Sequence, residues 1–122
     1  MDRNMIRDAA ASDAARFAEI YAPYVEGSCV SFEAQAPGTE EMASRIAEKL
    51  GQGFPWLALE AGLAVAGYAY YGSWRSREAY RGTVESTIYL DAAYQGRGLG
   101  ARLYAELIER ARAQGRHAMI GI

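Results

Sequence analysis

Apolar residues near the start of the chain recur at spacings of three and four. Phe17, Ile20, Tyr21 and Tyr24 fall on one face of a helix. Ahead of it Met5–Arg7 reads as a short strand, and Ser12 is placed to cap the helix with Asp13 in the first turn, where the dipole favours an acid. Pro23 predicts that this helix frays at its end. Residues 27–38 read as a loop. Thr39 predicts the cap of a second helix, Glu40–Leu50, with acids at its start, Lys49 near its end and Gly51 just beyond.

The period then changes. WLALEA (56–61), a turn at Gly62 and LAVAGYAYYGSW (63–74) predict two strands in a hairpin. The second is nearly continuously apolar, as a central strand covered on both faces should be. A polar link, Arg75–Gly82, leads to a β-branched run, TVESTIYL (83–90). Leu99, Leu103, Leu107, Ile108 and Ala111 then share a helical face running to about Gln114, with Glu106 and Arg110 paired on the exposed side. Gly115 predicts the helix stop, and HAMIGI (117–122) begins another strand. The pattern is that of one α/β domain without internal repeats.

Composition narrows the class. Of 122 residues, 51% are hydrophobic and 23% charged, so the chain can bury a core. A net charge of -2 supplies no basic field for nucleic acid or an anionic membrane. The charged N-terminal stretch lacks the apolar core of a signal peptide, and no run approaches the roughly 20 apolar residues of a membrane span. Cys29, the single cysteine, fits a reducing compartment, and the expectation is a cytoplasmic protein. His117 and Cys29 have no partners at metal-ligand or nucleophilic spacing, so no metal is expected.

The candidate chemistry lies in YQGRGLGARL (94–103), where glycines at 96, 98 and 100 separate a strand from a helix. A strand, a glycine turn and a helix start present unpaired N–H groups at the positive end of a dipole, a natural anion site. Arg97 can add charge-assisted contacts to phosphate oxygens. A tight turn without ligand is the plainer alternative. Gly96–Ala101 also fits the dinucleotide fingerprint, but no acid follows Glu109 to hold a ribose, and that reading is rejected.

Gln95-Gly96-Arg97-Gly98-Leu99-Gly100 resembles the Q/R-x-x-G-x-G/A signature of the GNAT superfamily of N-acetyltransferases. FPWL (54–57), YYGSWRSREAYRGTVESTIYL (70–90) and QGRGLGARLYAELIERARAQG (95–115) resemble its phosphinothricin and methionine sulfone (or sulfoximine) acetyltransferase branch. The resemblance implies a mixed central sheet with helices on both faces, acetyl-CoA as co-substrate and a homodimer. It also implies direct acetyl transfer to the amino group of a small amino-acid analogue. Gln95 through Ala101 (Gln95, Gly96, Arg97, Gly98, Leu99, Gly100, Ala101) would hold the pyrophosphate. Backbone groups of Ile88, Tyr89 and Leu90 would receive the pantetheine arm, one N–H stabilising the oxyanion.

Glu85 is the candidate base, at a position where related enzymes carry a glutamate; a solvent-facing or ion-paired glutamate is the alternative. Arg75, Ser76 and Arg77, with Glu85, Ser86 and Thr87, would read the substrate, although the arginines alone could be ordinary surface residues. Phe32 stands where relatives often place an aromatic against the substrate, and packing is equally open to it. Trp74 and Tyr80 could wall the pocket or fill core. A non-catalytic acyl-CoA-binding module, or an inactive fragment, remains the alternative function. Relatives continue past the position of Ile122, so the resemblance implies a domain incomplete at its C-terminus.

Overall fold

The computed structural model describes residues 4–26, 36–62, 64–73, 83–116 and 118–121. Strand β1 (Asn4–Asp8) leads through a 3-10 turn (Ala11–Asp13) into helix α1 (Ala14–Glu26). Helix α2 (Thr39–Gly51) precedes a hairpin of β2 (Trp56–Ala61) and β3 (Ala64–Ser73). Strand β4 (Thr83–Leu90), a second 3-10 turn (Ala92–Tyr94), helix α3 (Leu99–Ala113) and β5 (Ala118–Gly121) complete the order. The five strands lie in sequence order in one sheet, the first four antiparallel and β5 parallel to β4. Two parallel neighbours need a crossover, and α3 provides it. The expected loop over 27–35 and link over 75–82 lie outside the described residues. No helix among the described residues is long and apolar enough to cross a membrane.

The sheet is covered on both faces. Leu99, Leu103, Leu107 and Ala111 of α3 pack on Leu57, Leu59, Ala69, Tyr71 and Val84. On the other face Phe17, Ile20 and Tyr21 of α1, with Met42 and Ile46 of α2, cover Trp56, Ala58 and Tyr68. This explains why the middle strands read as almost unbroken apolar runs. Register fails once, between Leu59 and Glu60, where Ala66 is an extra residue in β3. Val65 therefore sides with Tyr68 rather than with Ala69. Gly67 follows the bulge, and a Cβ there would sit 2.8 Å from the Tyr89 carbonyl oxygen, closer than any side chain tolerates.

Several local expectations change. Ser12 lies within the 3-10 turn, and the capping acceptor is Asp13, which takes the Ala10 N–H at 2.8 Å. Thr39 is the first residue of α2, whose N-cap is Gly38, without a side-chain hydrogen bond. Pro23 does not end α1, which continues to Glu26. Its missing N–H costs one intrahelical bond, while Tyr21 and Tyr24 on the same helix stay packed against Tyr89 of the sheet. The stops of α2 and α3 follow the glycine rule, although Gly51, expected just beyond α2, is its last helical residue and the left-handed glycine comes two residues later. Gly53 and Gly115 have φ of 86° and 75°. The amide of the residue after each glycine, Phe54 and Arg116, bonds back to the carbonyl of Lys49 and Ala111.

Asp13 also binds Arg7 through both carboxylate oxygens, at 2.8 and 2.9 Å, and Arg7 bonds in turn to Glu60. These bonds, led by those from Arg7, hold the Asp13 carboxyl below its usual pKa. A lowered folded-state value means that the stabilisation is complete above about pH 4 and lost as pH falls through the folded value. Asp13→Asn should cost about 1–3 kcal/mol at pH 7, and the penalty should shrink by pH 3. Urea unfolding at both pH values checks this, and equal penalties would refute it.

Candidate active site

Strand β4 carries most of the sequence-predicted site. Alternation points Glu85, Thr87 and Tyr89 toward the α1/α2 layer, while Val84, Ser86, Ile88 and Leu90 point toward α3. Glu85 is half-buried and stands opposite Gly72, and its carboxylate has no hydrogen bond to a described residue. Ser86 is buried on the face away from Glu85 and Thr87. Tyr89 packs among Tyr21, Tyr24 and Tyr68, with ring centroids 4.8, 4.9 and 5.8 Å apart. β5 pairs with Thr83–Ser86 only. Among the described residues, the β5-side edge of Thr87–Leu90 therefore has no strand neighbour.

The chain leaves β4 into a tightly held turn. Asp91 accepts the Ala93 N–H at 2.9 Å and the Arg16 guanidinium at 2.7 Å, which together lower its carboxyl pKa, the backbone bond most. Its own amide donates to the Ala66 carbonyl at 2.8 Å, and Arg16 Nε donates to the Val65 carbonyl at 2.9 Å. The Tyr24 hydroxyl donates to the Leu90 carbonyl at 2.7 Å and accepts from Gln95 Nε2 at 2.6 Å. Helix α1 is thus tied to the strand end and to the glycine loop. These three supports were not singled out from sequence: Arg16 and Asp91 are 75 residues apart, and Tyr24 reads as an ordinary core position.

The loop runs through Gly96 and Gly98, with φ of 80° and 75° in the left-handed region. Gly98 is the N-cap of α3 and offers no side chain to its N–H groups. The first intrahelical bond is Arg102 N–H to the Gly98 carbonyl. The N–H groups of Leu99, Gly100 and Ala101 therefore have no acceptor within the helix. Gly100 differs from the other two: it has ordinary torsions, and a Cβ would lie 3.5 Å from Leu90 Cδ1, a normal contact. Leu99 is buried and anchors the helix start, while Gln95, Gly96, Arg97, Gly98 and Ala101 are exposed. The Arg97 guanidinium lies 5.3 Å from the Tyr94 ring centroid and pairs with no described acid. The loop is thus an uncapped, positively polarised helix end with a free arginine beside it. No metal-binding cluster occurs among the described residues. Phe32, Trp74, Arg75, Ser76, Arg77 and Tyr80 lie outside them, as do Cys29 and His117.

The sequence profile of the acetyltransferase (GNAT) family matches residues 15–121. The chain belongs to this family. Phosphinothricin N-acetyltransferase of Streptomyces viridochromogenes is 38% identical over 96% of this chain and 63% of its own length. The L-methionine sulfoximine/L-methionine sulfone acetyltransferase of Pseudomonas aeruginosa is 42% identical over 94% of this chain and 67% of its own. A GNAT superfamily phosphinothricin acetyltransferase from Sinorhizobium meliloti, solved in complex with acetyl-CoA, superimposes with a TM-score of 0.92 at 38% identity, covering 97% of this chain and 64% of that one. The chain spans about two thirds of the length of these relatives. The GNAT fold agrees with the mixed, doubly covered sheet described above.

Tyr24→Phe removes both the Leu90 and the Gln95 hydrogen bonds while keeping the ring. It should lower stability by about 1–3 kcal/mol, most of it from the unpaired carbonyl. A denaturant titration with unchanged midpoint would refute the clasp.

Proposed function

We propose that the protein transfers acetyl from acetyl-CoA to the amino group of a small amino-acid analogue of the phosphinothricin and methionine sulfone or sulfoximine type. The observation that carries this reading is the uncapped start of α3 behind the left-handed Gly96 and Gly98, in a family whose relatives bear those names. The free N–H groups of Leu99, Gly100 and Ala101 would take the pyrophosphate oxygens, with Arg97 adding charge from outside. The open edge at Ile88, Tyr89 and Leu90 would take the pantetheine amides. The Leu90 carbonyl already accepts from Tyr24, which favours Ile88 and Tyr89 for that role.

Chemistry then proceeds by direct attack in a ternary complex. Glu85, half-buried and without a hydrogen-bond partner among the described residues, removes the proton from the amine. The amine nitrogen attacks the thioester carbonyl, a backbone N–H of β4 meets the developing oxyanion, and the C–S bond breaks to give the amide and a thiolate, which takes a proton from solvent. Arg75, Ser76, Arg77, Phe32 and Thr87 complete the substrate side of this proposal; Ser86, expected there from the sequence, is buried on the opposite face of β4 and is left out of it. The same reading makes the protein a cytoplasmic homodimer, which sedimentation of the full-length chain tests.

Thiol release from acetyl-CoA should depend on added methionine sulfone or phosphinothricin. Binding of CoA with no release under any amine would instead favour a non-catalytic acyl-CoA-binding module. Glu85→Gln should lower kcat by about 10²- to 10⁴-fold with little change in the KM for acetyl-CoA. Unchanged turnover would remove Glu85 from the mechanism.

A further inference from the structure

Lys49, near the end of α2, is half-buried, and its side chain forms no ion pair or hydrogen bond with any described residue. Its stem lies over Gly72 of β3. A Cβ at that glycine would fall 2.7 Å from Lys49 Nζ, 3.4 Å from Cε and 3.7 Å from Cδ. The ammonium therefore occupies the space that a side chain at Gly72 would fill. Gly72 stands directly opposite Glu85 in the β3–β4 register, so the two residues share a face of the sheet. Directly opposed Cβ positions lie about 4.5–5.5 Å apart, which puts Lys49 Nζ no more than about 8 Å from the Glu85 Cβ.

Two opposite charges thus share one face, each half-buried and neither satisfied by the other. An ordinary structural pair would have closed to hydrogen-bonding distance, because an unpaired charge held partly out of water is costly. Lys49 also lines a cavity of about 310 Å³ on the α2 side of Gly72, together with Tyr70 and with Trp56, whose buried indole N–H has no acceptor; Glu85 is not part of that lining. Other charges there are accounted for: Arg45 pairs with Glu41 at 3.0 Å, and Glu48 is exposed.

A free cation and a free carboxylate on one sheet face, the ammonium within about 8 Å of the Glu85 Cβ, match an α-amino acid, whose own amine and carboxylate sit on one carbon and can meet both. We infer that Lys49 binds the carboxylate of the acceptor amino acid, opposite the Glu85 that receives its amine. Gly72 is the enabling residue, since any side chain there would displace the ammonium. The inference rests on the proposed acceptor class and adds a second charged contact to it, on a helix rather than on the β3–β4 link.

Equilibrium binding separates this contact from catalysis. Titration calorimetry of the full-length chain, in the presence of CoA, compares methionine sulfone with its carboxamide. Lys49→Met should weaken methionine sulfone binding about ten- to a hundredfold, the worth of one charge-assisted hydrogen bond, and leave carboxamide binding unchanged. Lys49→Arg should restore most of the loss. Gly72→Ala, which meets only the flexible end of the lysine, should fold normally and weaken the acid in the same sense. Unchanged affinity of Lys49→Met for methionine sulfone overturns the inference, and so does an equal loss for acid and carboxamide. Absence of methionine sulfone binding by the unsubstituted protein overturns it as well. Normal, Lys49-dependent binding without thiol release would count against the proposed reaction and leave the carboxylate contact standing.

Discussion

Two backbone carbonyls of β3 decide how the glycine loop is held. The extra residue at Ala66 breaks the ladder between β2 and β3, and the carbonyls of Val65 and Ala66 turn to other donors. Arg16 takes the first and the amide of Asp91 takes the second. The Arg16 guanidinium and the Asp91 carboxylate then bind each other, and Asp91 caps the turn into the loop. A half-exposed ion pair contributes little free energy by itself. Here its weight is geometric, because it joins the bulge, helix α1 and the end of β4 at one point. The Tyr24 clasp adds a second tie two residues before the end of α1.

Coverage explains where chemistry can sit. β2 and β3 are sealed between α3 on one side and α1 with α2 on the other, so polar side chains have little place there. β4 is the strand where the layers thin: Val84 is fully buried, yet Glu85 and Thr87 are only partly so. Beyond Ser86 no strand among the described residues pairs with it on the β5 side. One short element thus carries a carboxylate on one face and unpaired backbone at its edge.

Much of this was legible in the sequence where composition and period agreed. TVESTIYL reads as a strand because β-branched residues dominate it, and β4 has those bounds. The spacing of Leu99, Leu103, Leu107 and Ala111 gives the buried face of α3, and Gly115 its stop. The glycine loop announced its backbone, though only Gly96 and Gly98 use left-handed torsions. What stayed hidden depends on contacts between distant positions. Ser12 and Thr39 look like caps by residue type, but Asp13 and Gly38 hold those positions because of how the turns approach the sheet. Pro23 reads as fraying the helix end, yet α1 runs three residues past it with Tyr21 and Tyr24 packed on Tyr89. Lys49 reads as a favourable charge at a helix end, and only the missing side chain at Gly72 shows where its ammonium goes.

The bulge also makes the length of β3 matter independently of its side chains. Residues on either side of Ala66 keep their faces because the strand contains one more residue than its partner. Deleting one position among 65–67 would restore an unbroken ladder and reverse the facing of one arm of the hairpin, setting tyrosines against the wrong layer. Point changes at individual sites leave that count alone. Across descendants of this gene, drift in residue type along β3 should therefore far outpace insertion or deletion within it.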